Sequence, residues 1–174
     1  SQTGEMTAEA GLSLDELYRA FLPRGWFTPV TPGTRFVTLG GMVAAGLSGP
    51  SRASAGSVRD HVLGATLLNG KGEVVTFGGQ VMKNVAGYDV SRLLAGSMGT
   101  LGVICEVSLK VLPVAVATAT IRFECDQPEA LKRLNAWGGE PLPISATAWW
   151  SGMLVLRLSG ARAAVDAAQK QLGG

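Results

Sequence analysis

Apolar and polar residues alternate in several stretches of this chain, and each such stretch predicts a β-strand. The clearest pair is a hairpin, with strands at 62–68 and 73–77 joined by an Asn-Gly turn at 69–72. Further strands are predicted at 35–39 and at 102–112, where the alternation is that of a half-buried strand. Together with the helices below, these strands indicate an α+β fold.

Helical spacing of apolar residues follows a capping signal near the start of the chain. Ser13 and Glu16 have the Ser-x-x-Glu spacing of a capping box, and apolar residues then recur on one helical face. The small apolar residues at 41–46 suit a tightly packed helical turn, and 91–94 is predicted to be helical. The polar stretch at 52–58 is predicted to be a loop.

The pattern changes after Pro113, so we expect one domain at 1–113 and a second at 114–174. The downstream elements are three strands and two helices, predicted at 115–125, 127–137, 144–150, 153–158 and 161–172. Their order, β-α-β-β-α, resembles most of a ferredoxin-like unit. Because side chains alternate along a strand, Trp149 and Trp150 are predicted to point to opposite faces of the sheet.

Composition excludes several classes of protein. Hydrophobic residues make up 47% of the chain and charged residues 16%, so a sizeable core is expected rather than disorder. A net charge of +2 without a basic run gives no nucleic-acid site. Glu106 and Lys110 interrupt the most apolar stretch, 101–119, so no membrane span is predicted. No signal peptide is visible, and Cys105 and Cys125 lack metal-ligand spacing, so we expect a cytoplasmic protein with buried thiols and no metal.

Glycine is concentrated in two segments. Many of the 24 glycines lie at 40–49 and 96–102, which turns alone do not explain, and a polar cluster at 83–89 lies between them. Backbone N–H groups around glycine can form a nest that binds phosphate without a formal charge. Two such segments, with Ser and Thr among the glycines, predict a long ligand that contains a diphosphate.

These segments belong to a nearly continuous block from Pro32 to Pro113, which includes TLGGMVAAGLSGPSR, SVRDHVLGATLLNGKGEVVTFGG and VMKNVAGYDVSRLLAGSMGTLGVICEVSLKVLP. The block resembles the FAD-binding domain of the vanillyl-alcohol oxidase and p-cresol methylhydroxylase type of flavoprotein. Within that family it is most similar to the FAD-binding subunits of bacterial glycolate oxidases, which are relatives of FAD-linked D-lactate dehydrogenases. Three ordered motifs at the expected separations are more specific than any one of them.

The resemblance implies a fold and a function. The fold is the second subdomain of a p-cresol methylhydroxylase-type FAD-binding domain, followed by the start of a ferredoxin-like cap domain. The cofactor is non-covalent FAD, whose flavin accepts a hydride equivalent from the α-carbon of a 2-hydroxy acid such as glycolate. The expected partners are a second flavin subunit and an iron–sulfur subunit, in a complex that is cytoplasmic or peripheral at the inner membrane.

The same resemblance implies that the chain is a fragment of a longer subunit. In the family, a subdomain with a pyrophosphate-binding loop precedes the first helix predicted here. Without it, we expect the isolated chain to be inactive, to hold FAD poorly and to self-associate.

The resemblance also implies which residues contact FAD. They are Thr38, Leu39, Gly40, Gly41, Ala45, Gly46, Ser48, Lys83, Asn84, Gly99, Thr100, Gly102, Val103 and Ile104. Simpler alternatives stay open: 37–50 is also typical of a strand before a tight turn, and Lys83 suits a solvated loop. Tyr88 and Asp89 are better suited to structural roles. The spacing at 96–102 is GxxGxxG and a strand follows it, which disfavours a dinucleotide-binding Rossmann motif.

The remaining polar candidates are Arg52, Arg59 and His61. Either arginine would neutralise FAD phosphates, although Arg59 with Asp60 also suits a local ion pair. His61, the single histidine, is better explained by a hydrogen-bonded position at a strand edge than by covalent attachment of flavin. No catalytic residue is identified. Two other functions stay open: a non-catalytic flavin-fold scaffold of the same complex, and an NADPH-dependent flavin reductase of the cell-wall precursor type.

Overall fold

The computed structural model of the chain describes residues 4–30, 32–79 and 89–173. They fall into two compact units, residues 1–114 and residues 115–174. The strands of the first unit are Glu5–Glu9 (β1), Trp26–Phe27 (β2), Val62–Leu68 (β3), Val74–Gly78 (β4), Val103–Lys110 (β5) and Leu112–Pro113 (β6). Four of them form an antiparallel sheet in the order β1-β5-β3-β4, and β2 pairs with β6. The predicted hairpin is confirmed as β3 and β4.

The helices of the first unit are short. They are Leu14–Phe21 (α1), Leu39–Ala44 (α2), Arg52–Ala55 (α3), Val58–His61 (α4) and Val90–Leu93 (α5). The predicted capping box of α1 is confirmed, because the Glu16 carboxylate accepts from the Ser13 N–H at 2.8 Å and from the Ser13 hydroxyl at 2.6 Å. Helices this short are marginal in isolation, so tertiary packing has to stabilise them.

One face of the sheet and the buried sides of α1 and α2 share a hydrophobic core. Leu39 and Met42 of α2 are fully buried, as are Leu14 of α1 and Leu109 of β5. Each such side chain contributes roughly 1.5–3 kcal/mol through its removal from water. This core holds α2, and with it the first glycine segment, against the sheet.

Two predictions for the first unit are wrong. No strand forms at 35–39, where Thr38 makes one isolated bridge to Ser13 and the helix α2 begins at Leu39. The reason is the Thr38 side chain, whose Oγ1 accepts from the Gly41 N–H at 3.1 Å and caps the helix. The predicted loop at 52–58 contains α3 and the first residue of α4.

The two cysteines are not the buried thiols that we expected, because Cys105 is exposed and Cys125 is half-buried. The pairing of β3 with β5 shifts register between Thr66 and Leu67, which leaves Cys105 as the extra residue of a β-bulge. A bulge breaks the alternation of buried and exposed positions along the strand. The periodicity used to predict burial therefore fails at this residue.

The second unit has the predicted β-α-β-β-α order. Its elements are Ala117–Glu124 (β7), Gln127–Gly138 (α6), Ile144–Trp150 (β8), Met153–Gly160 (β9) and Arg162–Leu172 (α7). The strands form an antiparallel sheet in the order β7-β9-β8, which is the arrangement of a split β-α-β unit. Trp149 pairs with Leu154 and Trp150 with Met153, so the two tryptophans occupy opposite faces as predicted. The α+β fold class is confirmed.

Among the described residues, no helix combines the length and the apolar character that crossing a membrane requires. Nor do these residues contain a group of three or more His, Cys, Asp or Glu side chains placed to bind a metal ion.

Candidate functional site

The two glycine segments meet at the C-terminal end of α2. The last carbonyl groups of a helix lack partners within the helix and need donors from elsewhere. Here the Val43 carbonyl accepts from the N–H groups of Gly46, at 2.9 Å, and Gly96, at 3.0 Å, and the Ala44 carbonyl accepts from Met98 at 2.8 Å. The second glycine segment therefore provides part of the C-terminal cap of α2, the helix within the first glycine segment.

This approach depends on the absence of a side chain at Gly46. Gly46 has a φ of +64°, and a Cβ at this position would lie 3.2 Å from the Gly96 α-carbon. Gly96 itself has a φ of +85°. A side chain at Gly46 would combine a strained backbone with a tight contact that the Gly96 backbone would have to relieve by a small shift. The structure thus brings Ala45, Gly46 and the beginning of the second segment together.

The backbone donors at the beginning of the first segment already have partners in the protein. The Leu39 N–H donates to the Leu12 carbonyl at 2.8 Å, and the Gly40 N–H donates to the Ala10 carbonyl at 2.8 Å. The Gly41 N–H donates to the Thr38 hydroxyl. That Thr38, Leu39, Gly40 and Gly41 contact FAD stays a prediction. The three N–H groups just described cannot donate to FAD while these hydrogen bonds hold.

Gly40 has a packing reason of its own. A Cβ on this buried residue would lie 2.7 Å from the Ala10 Cβ, which is closer than two non-bonded carbon atoms can approach. The glycine therefore allows α2 to lie directly against the end of β1. Gly40 thus serves the packing of the fold.

Other backbone donors near the meeting point are open. The N–H groups of Ser48, Gly49, Gly99 and Leu101 donate to no acceptor in the described part of the chain. The side chains of two predicted site residues form hydrogen bonds with backbone groups. The Ser48 Oγ accepts from the Val58 N–H at 3.3 Å, and the Thr100 hydroxyl donates to the Ser97 carbonyl at 2.7 Å. Exposed glycine backbone with open N–H groups is the kind of surface that binds phosphate.

Apolar side chains stand beside these open donors. Met98, Leu101 and Val103 are 73%, 42% and 64% exposed, although all three are large and hydrophobic. Ile104 turns the other way and packs against the buried cluster of Ala65, Leu67 and Leu94. Of the predicted pair Val103 and Ile104, only Val103 thus presents its side chain to solvent.

The resemblance implied that the backbone of 98–104 contacts the cofactor, but sequence reasoning missed that the N–H groups of Gly96 and Met98 bond to α2. Met98 has a φ of +53°, in the left-handed region that glycine favours. The signal that identifies it is its position between two glycines, because Ser97–Thr100 forms a tight turn in which Gly99 also has a positive φ, of +76°.

The polar cluster is only partly described. Lys83, Asn84 and Tyr88 lie outside the described residues. Asp89 caps α5, since its Oδ1 accepts from the Arg92 N–H at 3.2 Å and from the Ser91 hydroxyl at 3.1 Å. A structural role for Asp89 is therefore confirmed.

Arg59 and Asp60 do not form the local ion pair considered above. The Arg59 Nη2 donates to the Ala95 carbonyl at 3.4 Å. The Asp60 carboxylate instead accepts from the N–H of Ser57 at 2.7 Å and from its hydroxyl at 2.8 Å. Both hydrogen bonds hold the pKa of Asp60 below its usual value of 3.8, and the one from the Ser57 backbone N–H has the larger effect.

We expect Ser57→Ala to destabilise the first unit and to weaken its dependence on acid pH. The pKa of Asp60 is lower in the folded chain, so this carboxylate stabilises the fold above pH 3.8, and that stability is lost as the pH falls through the folded pKa. Loss of the Ser57 hydroxyl is expected to cost about 1 kcal/mol at pH 7, the usual size of a capping effect. Urea unfolding at pH 7 and at pH 3 measures both.

The comparison requires one control, because the pKa of Glu16 is also lowered, by its hydrogen bonds to Ser13. Ser13→Ala should change the same pH range independently of Ser57→Ala. A Ser57→Ala variant with an unchanged difference between the two pH values would show that the Ser57 hydroxyl does not contribute to the lowered pKa of Asp60.

His61 is buried, with 4% of its surface exposed, at the end of α4. Its Nε2 lies 2.9 Å from the Ala55 carbonyl oxygen and its Nδ1 lies 3.3 Å from the Lys110 carbonyl oxygen. Both ring nitrogens thus face backbone acceptors, and the ring joins α3 to β5. The structure places this histidine in a hydrogen-bonded structural position, not in one open to a flavin.

Comparison with known proteins identifies relatives of the chain. Residues 1–78 match the family model described as an FAD binding domain. The chain is 45% identical to glycolate oxidase subunit GlcE of Escherichia coli over 171 residues, which is 97% of the chain and 49% of that protein. It is 38% identical to a D-lactate dehydrogenase of Anaerostipes hadrus over 67% of the chain and 25% of that protein. The chain thus spans about half or less of these relatives.

The fold has a counterpart among solved structures. An alkyldihydroxyacetonephosphate synthase matches 98% of the chain with a TM-score of 0.77 and 20% sequence identity, and the match covers 37% of that protein. At this identity the match concerns the fold alone. The family model and the relatives support FAD as the cofactor. Residues 1–78 therefore belong to the FAD binding domain family of that model, as the resemblance of the glycine segments implied.

Proposed function

We propose that the chain is part of an FAD-binding subunit of a 2-hydroxy-acid oxidase or dehydrogenase, with glycolate as the substrate. The single observation that carries this proposal is the meeting of the two glycine segments at the end of α2, where Gly96 and Met98 donate to the helix carbonyls. Bound FAD would supply the redox chemistry, with the flavin accepting a hydride equivalent from the substrate. No residue of the chain is assigned a catalytic role.

The described residues around this meeting point fit a dinucleotide. The open N–H groups of Ser48, Gly49, Gly99 and Leu101 would donate to phosphate oxygens. The exposed Met98, Leu101 and Val103 would contact the apolar faces of a ring. Thr38, Gly41 and Ala45 lie at the exposed surface of α2 and its end and would contribute van der Waals contacts.

We further propose that the first unit is part of the FAD-binding domain and that the second unit is the start of a cap domain. A sequence identity of 45% to a protein named as a glycolate oxidase subunit supports a multi-subunit assembly. The proposed partners are a second flavin subunit and an iron–sulfur subunit, and peripheral association with the inner membrane would occur through them.

A second candidate function is a scaffold subunit of the same complex that does not bind flavin. The observation that favours it is the internal use of the Leu39, Gly40 and Gly41 N–H groups, together with the packing of Gly40 on Ala10. In this case the first glycine segment would be kept for the contact between α2 and β1.

Visible absorption spectra separate the two candidates. The purified chain and the complete product of its gene are each incubated with FAD and passed through gel filtration. Retention of the flavin band by the complete product, with release by the chain alone, is the expected result. Release by both would support the scaffold and require withdrawal of the oxidoreductase proposal. Oxidation of NADPH by the flavin-loaded protein would instead identify a reductase.

A further inference from the structure

A small cavity in the first unit is lined by residues of β1, α1 and β2 and by their neighbours. Besides Tyr18 and Thr28, the lining consists of apolar side chains, which are Met6, Leu14, Leu17, Phe21, Phe27 and Val111. The interior has room for about one water molecule. A cavity with a purely apolar lining stays dry, so the hydroxyl groups of Tyr18 and Thr28 decide what this cavity binds.

Thr28 brings a polar group into this apolar environment. The residue is buried, with 5% of its surface exposed, and its Oγ1 makes no hydrogen bond within the described part of the chain. A buried hydroxyl without a partner destabilises a fold, whereas valine has nearly the same shape and no polar group to satisfy. A ligand of the cavity that bonds to Oγ1 would remove this cost.

The second hydroxyl belongs to Tyr18, whose Oη donates to the Thr28 carbonyl at 3.4 Å. This distance is long, because hydrogen bonds between oxygens are usually about 2.7–2.8 Å. The Arg35 guanidinium lies over the Tyr18 ring, 5.6 Å from its centroid, and helps to hold it in place. A hydroxyl oxygen accepts as well as donates, so Tyr18 is able to accept from a molecule that also bonds to Thr28.

We propose that the cavity binds one structural water molecule, which joins the hydroxyl groups of Thr28 and Tyr18. Thr28 donates to the water, the water donates to the Tyr18 Oη, and Tyr18 donates to the Thr28 carbonyl, which closes a ring of hydrogen bonds. The bonds of such a ring polarise and strengthen one another. The water thereby satisfies the Thr28 Oγ1 and connects α1 to the residue that follows β2. The proposal does not depend on FAD binding.

The thermal stability of Thr28→Val tests the proposal by the sign of its change. In the complete gene product, this substitution removes the hydroxyl and keeps the shape of the side chain. The midpoint of thermal unfolding should fall by about 2–4 °C, because the bound water loses a partner. In a dry cavity the same substitution would raise the midpoint, because it removes an unpaired buried hydroxyl. Thr7→Val is the control, since it removes an exposed hydroxyl of the same unit and should change the midpoint by less than about 1 °C.

A high-resolution crystal structure of the complete gene product provides the direct observation, and it decides alone if Thr28→Val does not fold. We expect one water within about 3 Å of both the Thr28 Oγ1 and the Tyr18 Oη. The Tyr18→Phe protein keeps the ring without the hydroxyl and should lack this water. A dry cavity in the wild type, a side chain from another segment inside it, or a Thr28→Val protein at least as stable as the wild type would each overturn the inference.

Discussion

Gly102→Ala is expected to lower the free energy of unfolding of the first unit by about 4 kcal/mol, from backbone strain and overpacking together. Gly102 has a φ of +141°, which is accessible almost only to glycine. A Cβ there would also lie 2.5 Å from the Leu68 carbonyl oxygen, which belongs to the backbone of β3. Because this strand pairs with both β4 and β5, its backbone has little freedom to move away.

Gly99→Ala is the matched control for this variant. Gly99 also has a positive φ, of +76°, but a Cβ added to it would have no atom within 4 Å. The control should therefore lose only about 1–2 kcal/mol, the cost of the left-handed backbone. Urea unfolding followed by circular dichroism measures both variants, and hydrogen exchange assigns the transition to the first unit. Equal losses in the two variants would contradict the steric argument.

The result also bears on how site residues are assigned. Gly102 is among the residues that the family resemblance associates with FAD, yet its geometry gives it a structural reason to be glycine. Loss of FAD binding in Gly102→Ala would therefore not assign it to the site. Gly99 is the more informative position, because it is exposed and its N–H group is open.

Much of the fold was predictable because it depends on local chemistry. The Asn-Gly turn produces the hairpin of β3 and β4, and the Ser13 and Glu16 side chains fix the start of α1. The order of elements in the second unit likewise follows from periodicity and turn residues. In each case the deciding atoms lie within a few residues of one another, so the sequence pattern contains them.

The wrong predictions concern positions whose local structure depends on residues that are distant in the sequence. Thr38 continues an apolar stretch and suggested a strand, but its hydroxyl caps α2 and the preceding backbone bonds to α1 instead of a sheet. Cys105 was expected to be buried, and a register shift against β3 exposes it. Neither the partner strand nor its register is visible from local alternation.

The candidate site shows the same division. Composition pointed to the two glycine segments as parts of one site, and the structure brings Gly46 and Gly96 together. Which N–H groups remain open was not predictable. The N–H groups of Leu39 and Gly40 donate to the carbonyls of Leu12 and Ala10, which lie 27 and 30 residues earlier in the chain, and no pattern within the segment indicates this.

His61→Leu is expected to lower the free energy of unfolding of the first unit by about 2–3 kcal/mol. Leucine fills a similar volume but has no N–H group for either the Ala55 or the Lys110 carbonyl, which face the ring nitrogens at 2.9 and 3.3 Å. A buried acceptor that loses its donor bears the cost of its desolvation. His61→Gln, which restores an N–H donor, should recover part of the loss in the same urea unfolding measurement.

The structural role and a flavin-binding role of His61 predict different outcomes at low temperature. If the ring only joins α3 to β5, the His61→Leu protein that remains folded at 10 °C should bind FAD with the Kd of the wild type. Acid precipitation should then release all flavin from both proteins. The burial of the ring and its two carbonyl neighbours favour this result. A weaker Kd with unchanged stability would show instead that the histidine acts on the cofactor, and the packing that surrounds it would then need to open when FAD binds.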